Sequence, residues 1–196
     1  CPFIEFLTRP NWLLIILFIL LYKFGDAVLT VMKIPFFLEL GFSNTEIGTI
    51  AKLVGFPPII IGGLFGGLLL AKTGIMRGLL ISGIFMAASN LVFVLQSWVG
   101  YSQEMLAVTI AIENFTTSMG TVAFVAYLSS LCNIAYTATQ YALLTSFMAF
   151  SRTVMTSGSG WVADQVSWPV FFMLTTLAAL PGLILLVYMI RRFDQA

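Results

Sequence analysis

Apolar runs of about 20 residues or more recur six times along this chain, and short polar segments separate them. A helix of that length crosses a bilayer, because each residue adds about 1.5 Å along its axis. The predicted spans are approximately residues 11–32, 47–70, 76–98, 105–131, 140–162 and 168–190. The pattern therefore predicts an all-α, polytopic membrane protein with six transmembrane helices, and residues 1–196 are predicted to form a single unit.

Cap and turn residues support these boundaries. Ser43, followed three residues later by Glu46, is typical of a capping box that opens the second span. Pro169 falls in the first turn of the sixth span, where a missing backbone N–H costs nothing. Pro57 and Pro58 lie inside the second span, where we expect them to kink or break the helix.

Composition excludes several classes of protein. Hydrophobic residues make up 60% of the chain and charged residues 9%, whereas a soluble domain carries about 25% charged residues. The net charge of +1 comes without a basic cluster, so no nucleic-acid partner is expected. With no histidine and two distant cysteines we expect no metal site and no cofactor, and any proton relay must use carboxylates.

Basic residues in the short loops predict the orientation. If the N-terminus is cytoplasmic, the cytoplasmic side holds Arg9, Lys72, Arg77, Arg191 and Arg192. The opposite side then holds only Lys33. Positive residues favour the cytoplasmic side, so both termini are predicted to be cytoplasmic. Because the chain begins at Cys1 rather than Met, we also expect it to be a segment of a longer protein.

Ionisable residues inside the spans indicate transport. Glu113 is the only charge in the fourth span, where a carboxylate costs about 2.5–3.5 kcal/mol even on lenient insertion scales. Lys23, Asp26, Lys52 and Arg152 lie in other apolar runs. Such groups usually mark a substrate or ion pathway, so the sequence predicts a transporter.

The polar residues of three spans fall on single helix faces. Lys23, Asp26, Thr30 and Lys33 share one face of the first span. Similar stripes in the fourth and fifth spans comprise Glu113, Thr117, Gly120 and Phe124, with Asn114 and Thr121 beside them, and Tyr141, Thr145, Met148 and Arg152. The three faces are predicted to converge on a water-accessible cavity. The third and sixth spans lack such a face and are predicted to be packing and lipid-facing helices. The candidate substrate and proton pathway comprises Lys23, Asp26, Lys52, Glu113, Asn114, Thr117, Gln140, Tyr141 and Arg152.

Structural roles compete with this interpretation. Lys23 and Asp26 also fit an ion pair within one helix, and Lys52 is close enough to the end of its span to reach the headgroups. Tyr141 also fits a packing role. The glycines of the second span form two overlapping small-xxx-small pairs, which most often indicate close helix packing: Gly62, Gly63, Gly66 and Gly67.

The turn between the second and third spans carries a family signature. Gly67, Lys72, Gly74 and Arg77 have the spacing of the cytoplasmic gate motif of the major facilitator superfamily. The glycines permit close helix approach, and the basic residues suit the C-terminal end of a helix dipole. Ala71 stands where the motif normally has an acid, so this chain departs from the charge-relay part of the motif.

Longer runs carry a closer resemblance. They are YKFGDA at 22–27, GFSNTEIGTIAK at 41–52, ENFTTSMGTVAFVAYLSSLCN at 113–133, ATQYALL at 138–144 and PGLILL at 181–186. On these residues nearly the whole chain resembles the AmpG-type muropeptide permeases of Gram-negative inner membranes. It looks like the C-terminal six-helix half of a protein that normally has twelve spans.

The resemblance implies proton-driven import of anhydromuropeptides for cell-wall recycling. It also implies an N-terminal six-helix half as partner. On this interpretation Asp26 and Glu113 are the candidate proton carriers, and Lys23 and Arg152 hold substrate carboxylates or keep those acids ionised. Two alternatives stay open: a transporter of another anionic metabolite such as acetyl-coenzyme A, and a non-transporting remnant. An enzyme is not expected, because a second intramembrane aspartate and a histidine are both missing.

Overall fold

The computed structural model describes residues 11–132 and 137–193, and the described residues fold into helices connected by short turns. The helices are α1 Trp12–Tyr22, α2 Phe24–Glu39, α3 Asn44–Leu53, α4 Phe56–Thr73, α5 Ile75–Val99, α6 Gln103–Ser130, α7 Thr137–Thr156, α8 Ser159–Gln165 and α9 Trp168–Phe193. The predicted capping box at the start of α3 is confirmed. The Ser43 hydroxyl accepts the Glu46 N–H, and the Glu46 carboxylate accepts the Ser43 N–H.

Five segments of the described chain are long and apolar enough to cross a membrane by length and composition. They are Trp12–Glu39, Phe56–Thr73, Ile75–Val99, Gln103–Ser130 and Trp168–Arg192. The predicted fifth span corresponds to α7 and α8, and it is not among them, because Gln140 and Arg152, together with threonine and serine side chains, lower the hydropathy of α7. The structure thus supports an all-α polytopic membrane protein, and the sixth crossing stays a prediction.

Three of the predicted spans are interrupted. The first breaks at Lys23, between α1 and α2, and the fifth breaks at Ser157–Gly158, between α7 and α8. The second breaks at Val54–Gly55, directly before the two prolines. Proline lacks a backbone N–H, so Pro57 and Pro58 leave carbonyls of the preceding turn without their helical partners. The sequence predicted only this second break.

The predicted end of the first span, at residue 32, is wrong. Helix α2 continues through Pro35 to Glu39, because Phe36 and Phe37 are fully buried and pack on Phe93 of α5. The extension moves Lys33 out of the outer loop to which the sequence assigned it. Lys33 lies six residues before the end of α2, which places it about 9 Å inside the helix.

Helix α6 is the centre of the bundle, since it packs against both α4 and α5, and α5 packs in turn on α9. Two hydrophobic clusters fill the bundle. The first includes Phe18, Leu79 and Met189, so the start of α1, the α4–α5 turn and the end of α9 share one end. The second includes Phe36 and Phe172 and lies at the other end.

Charged loop residues separate between the two ends. The end with the first cluster carries the basic residues Lys72, Arg77, Arg191 and Arg192, while Arg9 lies outside the described residues. The other end carries the acidic residues Glu39, Glu46, Glu104 and Asp164. This separation agrees with the loop charges on which the predicted orientation rests.

A buried polar row joins α5 to α6. The Thr109 hydroxyl lies 3.0 Å from the side-chain oxygen of Gln96, and the Thr116 hydroxyl lies 3.0 Å from that of Ser89. Both pairs recur at a spacing of seven residues. The third span thus packs against α6, as predicted, but it does so partly through polar residues that the sequence prediction did not single out. Its polar residues are sequestered against α6, where they hold two helices together.

Candidate functional site

A cavity of about 400 Å³ opens between the first, fourth and fifth predicted spans, as the polar stripes predicted. Its apolar wall is formed by Ile19, Leu20, Phe24, Ala27, Met148 and Met155. Its polar wall is formed by Lys23, Asp26, Thr30, Lys33, Glu113, Asn114, Thr117, Thr121 and Arg152. Six of the nine residues predicted for the pathway thus line one cavity: Lys23, Asp26, Glu113, Asn114, Thr117 and Arg152.

Glu113 is held by a lysine that the predicted pathway omitted. The Lys33 ammonium donates to both carboxylate oxygens of Glu113, at 2.9 and 3.0 Å. Glu113 is only 4% exposed, and a carboxylate buried to that degree needs a partner charge. Lys33 reaches it because α2 extends beyond the predicted end of the first span.

A second acid and base form a looser group. The Lys23 ammonium lies 3.7 Å from one Asp26 oxygen and donates to the Thr121 hydroxyl at 2.8 Å. The other Asp26 oxygen accepts a hydrogen bond from the Thr117 hydroxyl at 3.0 Å. Lys23 and Asp26 thus form the intrahelical ion pair and also line the cavity. The sequence offered these two roles as alternatives. Both side chains also tie α2 to α6.

Asn114 connects the cavity to the break in the second predicted span. Its side-chain amide donates to the Gly55 carbonyl at 3.0 Å, between α3 and α4. A Cβ at Gly55 would lie 2.7 Å from that amide nitrogen and 2.9 Å from Ile110. The chain therefore needs glycine at this break to let Asn114 reach the backbone.

Arg152 gives the cavity a surplus of positive charge. It lies on α7 between Met148 and Met155, which line the same cavity. Within the part of the chain that the structure describes, no group accepts a hydrogen bond or forms an ion pair with its guanidinium. The lining holds three cations, at 23, 33 and 152, and two anions, at 26 and 113, which leaves a net charge of +1.

Three residues of the predicted pathway do not line the cavity. Lys52 is exposed near the end of α3, where the snorkelling interpretation applies. Gln140 is buried, and Tyr141 packs against the first hydrophobic cluster. Two residues of the fourth-span stripe also lie elsewhere: Gly120 faces Met86, and Phe124 belongs to the first hydrophobic cluster. The prediction that they lie on the cavity face is therefore wrong. The cavity face of α6 is offset from the predicted stripe toward Asn114 and Thr121.

The predicted gate motif lies on the α4–α5 turn. Gly74 has a φ of +79°, a conformation that favours glycine, while Lys72 and Arg77 are exposed beside it. Gly67 has open space where a Cβ would be. The close helix contacts are instead made by Gly62 and Gly66, against the backbone of Phe115 and Met119 on α6.

An exposed hydrogen-bonded cluster holds the acidic end together. The Glu46 carboxylate accepts hydrogen bonds from the Tyr101 hydroxyl at 2.5 Å and from the Gln103 amide at 2.8 Å, besides those from Ser43. These donors, Tyr101 foremost, lower the pKa of Glu46 to about 2, and the same bond raises the pKa of Tyr101. The start of α3 is thereby tied to the α5–α6 turn.

Comparison with known proteins identifies the family. Residues 12–195 match the profile of the Major Facilitator Superfamily. The chain is 38% identical to the AmpG 4 transporter of Rickettsia felis over 193 residues, which is 98% of this chain and 47% of the relative. It is also 38% identical to the anhydromuropeptide permease of Escherichia coli K12 over 187 residues, 95% of this chain and 38% of the relative.

These findings bear on several predictions. The chain spans less than half the length of the curated relatives it matches. The relatives are named as transporters and permeases, the class of protein that the sequence predicted, and not as enzymes. The apolar helices and these relatives together indicate a multi-pass inner-membrane protein. The chain belongs to the Major Facilitator Superfamily, and its relatives there are the AmpG-type permeases that its sequence resembles.

Proposed function

We propose that this chain is one half of a proton-driven transporter that imports anhydromuropeptides across the inner membrane for cell-wall recycling. The names of the relatives supply the substrate class, because one of them is an anhydromuropeptide permease. The cavity supplies independent support. Its apolar wall suits a sugar ring, and its hydroxyl and amide groups suit the polar edges of a sugar or a peptide.

The observation that carries the proposal is the unpaired Arg152 in a cavity whose other charges are matched. A muropeptide bears carboxylates on its peptide, and a planar guanidinium binds a carboxylate through two parallel hydrogen bonds. A neutral substrate would leave this cation uncompensated. The lining therefore favours an anionic substrate.

Proton coupling rests on Asp26 and Glu113, the carboxylates that line the cavity. Adding a proton to either removes a charge from a low-dielectric environment, which shifts the balance between two conformations by an amount on the order of a few kcal/mol. With no histidine in the sequence, carboxylates are the natural proton carriers.

The transporter requires a second half. In this proposal an N-terminal six-helix half closes the cavity, and the two halves rock about it. In the proposed orientation both termini face the cytoplasm; the basic residues Lys72, Arg77, Arg191 and Arg192, which gather at one end of the bundle, support it.

The test is uptake of radiolabelled anhydromuropeptide in a permease-deficient Gram-negative host, with the chain expressed alone and with an N-terminal half. We expect uptake only with both halves, and its loss on adding a protonophore. Arg152→Gln should weaken uptake about tenfold or more, because it removes a charged hydrogen-bond donor. The matched control is Arg191→Gln, at the end of α9.

Each other outcome decides against part of the proposal. Uptake that resists the protonophore would refute proton coupling. Equal uptake by Arg152→Gln and the wild type would refute the role of the surplus cation. No uptake with both halves present in the membrane would refute the substrate, and coenzyme A esters would be assayed next, since the same net positive charge suits them.

A further inference from the structure

The two ion pairs of the cavity differ in how replaceable their partners are. Glu113 receives hydrogen bonds from Lys33 alone, among the residues that the structure describes. Asp26 receives one from Thr117 and also lies near Lys23. If its lysine turns away, Asp26 keeps a donor, whereas Glu113 is left as a buried charge without one.

The exposure of the pair is also unequal. The Lys33 side chain is 24% exposed and the Glu113 side chain 5%, and both border the cavity. An anion in the cavity can therefore reach the Lys33 ammonium, and Glu113 is the group that it has to displace. The other charged groups facing Glu113 are Lys23 and Asp26 of the first span and Arg152 of α7.

We propose, building on the proposed function, that a substrate carboxylate takes the place of Glu113 on Lys33, and that Glu113 accepts a proton as it is released. The proton comes from the medium as hydronium, reaches the carboxylate of Glu113 through the water of the cavity, and leaves a neutral acid and a water molecule. The ammonium of Lys33 stays charged throughout and exchanges one carboxylate for another. Proton and anion thus enter together, one for one, at this pair.

The exchange follows from the cost of buried charge. A carboxylate as enclosed as Glu113 is strongly disfavoured without a partner, whereas a neutral carboxylic acid is tolerated. Binding of the substrate at Lys33 and binding of the proton at Glu113 therefore promote each other, and this linkage is reciprocal. The geometry points to Glu113 as the coupling acid rather than Asp26, which retains its Thr117 hydrogen bond.

The experiment measures proton uptake when an acidic anhydromuropeptide binds to the two co-expressed halves in weakly buffered detergent solution. We expect about one proton taken up at this pair per substrate molecule. Glu113→Gln should bind the substrate without that uptake. Asp26→Asn should retain it, and Glu104→Gln, an exposed acid at the start of α6, is the matched control.

The second arm examines Lys33 as the carboxylate site. Lys33→Met should bind the acidic muropeptide about 10- to 100-fold more weakly, with less effect on an amidated one. Lys33→Arg should restore the preference. If Lys33→Met lowers the amount of protein in the membrane, the double variant Lys33→Met/Glu113→Gln should restore it to the level of the wild type, because it removes both charges. The double variant should not restore the preference for the acidic over the amidated muropeptide. This result separates loss of binding from loss of folding.

Other results overturn the proposal while leaving the substrate class intact. Binding without proton uptake, uptake that survives in Glu113→Gln, or an unchanged preference in Lys33→Met would each do so. If the wild type fails to bind the muropeptide, the proposed function fails instead. The pair is then tested without substrate, through the stability of the protein. Lys33→Met should be less stable at pH 8 than at pH 5, because it leaves the Glu113 carboxylate buried without its partner. Adding Glu113→Gln to this variant should remove the difference. A pH-independent stability would refute the pairing.

Discussion

The contact between α4 and α6 is the part of the bundle that a single methyl group should disrupt most. At Gly62 a Cβ would lie 2.3 Å from the Phe115 carbonyl oxygen and 3.0 Å from its Cα. Ordinary contacts begin near 3.4 Å, so the two helices would have to separate by about 1 Å. Both of the closest neighbours are backbone atoms, which no side-chain rotation can move. Alanine at this position therefore has to displace a helix.

The magnitude follows from two opposing terms. Overpacking of this kind costs about 1–3 kcal/mol, and replacing glycine by alanine inside a helix returns about 0.5–1 kcal/mol. Gly67 lies on the same helix with open space where the methyl group would go. There only the favourable term applies. The stability of Gly67→Ala should thus exceed that of Gly62→Ala by about 1–3 kcal/mol.

The assay is thermal unfolding of the purified protein in detergent, with membrane level as a second measurement. Gly66 and Gly63 provide another matched pair. A Cβ at Gly66 would lie 3.0 Å from the Met119 carbonyl, whereas one at Gly63 would meet the rotatable Ser118 hydroxyl at 3.3 Å and a Val122 methyl group at an ordinary 3.8 Å. Equal melting temperatures for Gly62→Ala and Gly67→Ala would refute the packing argument, and so would a larger loss at Gly63 than at Gly66.

Two further predictions concern the ends of α3. Asn114→Ala should lower the free energy of unfolding by about 1–3 kcal/mol, because it leaves the Gly55 carbonyl without its donor; thermal unfolding against Ser118→Ala, whose hydroxyl bonds the more exposed Ile59 carbonyl, measures it, and equal losses would contradict it. Since the pKa of Glu46 is lowered to about 2, its contribution is full above the ordinary value near 4.5 and is lost as the pH falls toward 2. On acidification, the α3 amides of the wild type should therefore still be protected from hydrogen exchange at pH 4. In Tyr101→Phe that protection should be lost at a higher pH than in the wild type. Identical profiles would exclude Tyr101 as the main cause of the lowered pKa.

The features that could be predicted from the sequence are those that depend on local spacing. The capping box of Ser43 and Glu46, the disruption at Pro57, and the convergence of the Lys23 and Arg152 faces each follow from a few neighbouring residues. A helix or a turn is specified within one or two turns of chain, so its pattern is visible in a single segment.

The features that could not be predicted depend on how deep one helix sits against another. Lys33 and Glu113 are 80 residues apart, and their pairing required α2 to continue past Pro35. Gly62 and Gly63 point in directions about 100° apart around the axis of α4. The overlapping glycine pairs do not show which of the two faces α6. The polar row of α5 was missed because serine and glutamine at intervals of seven also fit an exposed helix face.

The continuous helices of this chain form a scaffold, and the breaks in the interrupted helices lie near the cavity. Helices α5, α6 and α9 run without a break, and the Gln96–Thr109 and Ser89–Thr116 contacts fasten two of them together. Breaks occur at Lys23 and Gly55, whose neighbours or partners line the cavity, and shortly after Arg152. Interrupted helices exchange backbone hydrogen bonds for side-chain ones and so bend at lower cost than continuous helices. In the proposed exchange, binding at Lys33 would act on α2, which begins at the break at Lys23, so the shift of charge would have a hinge at the start of its helix and the continuous α5–α6 pair as a scaffold.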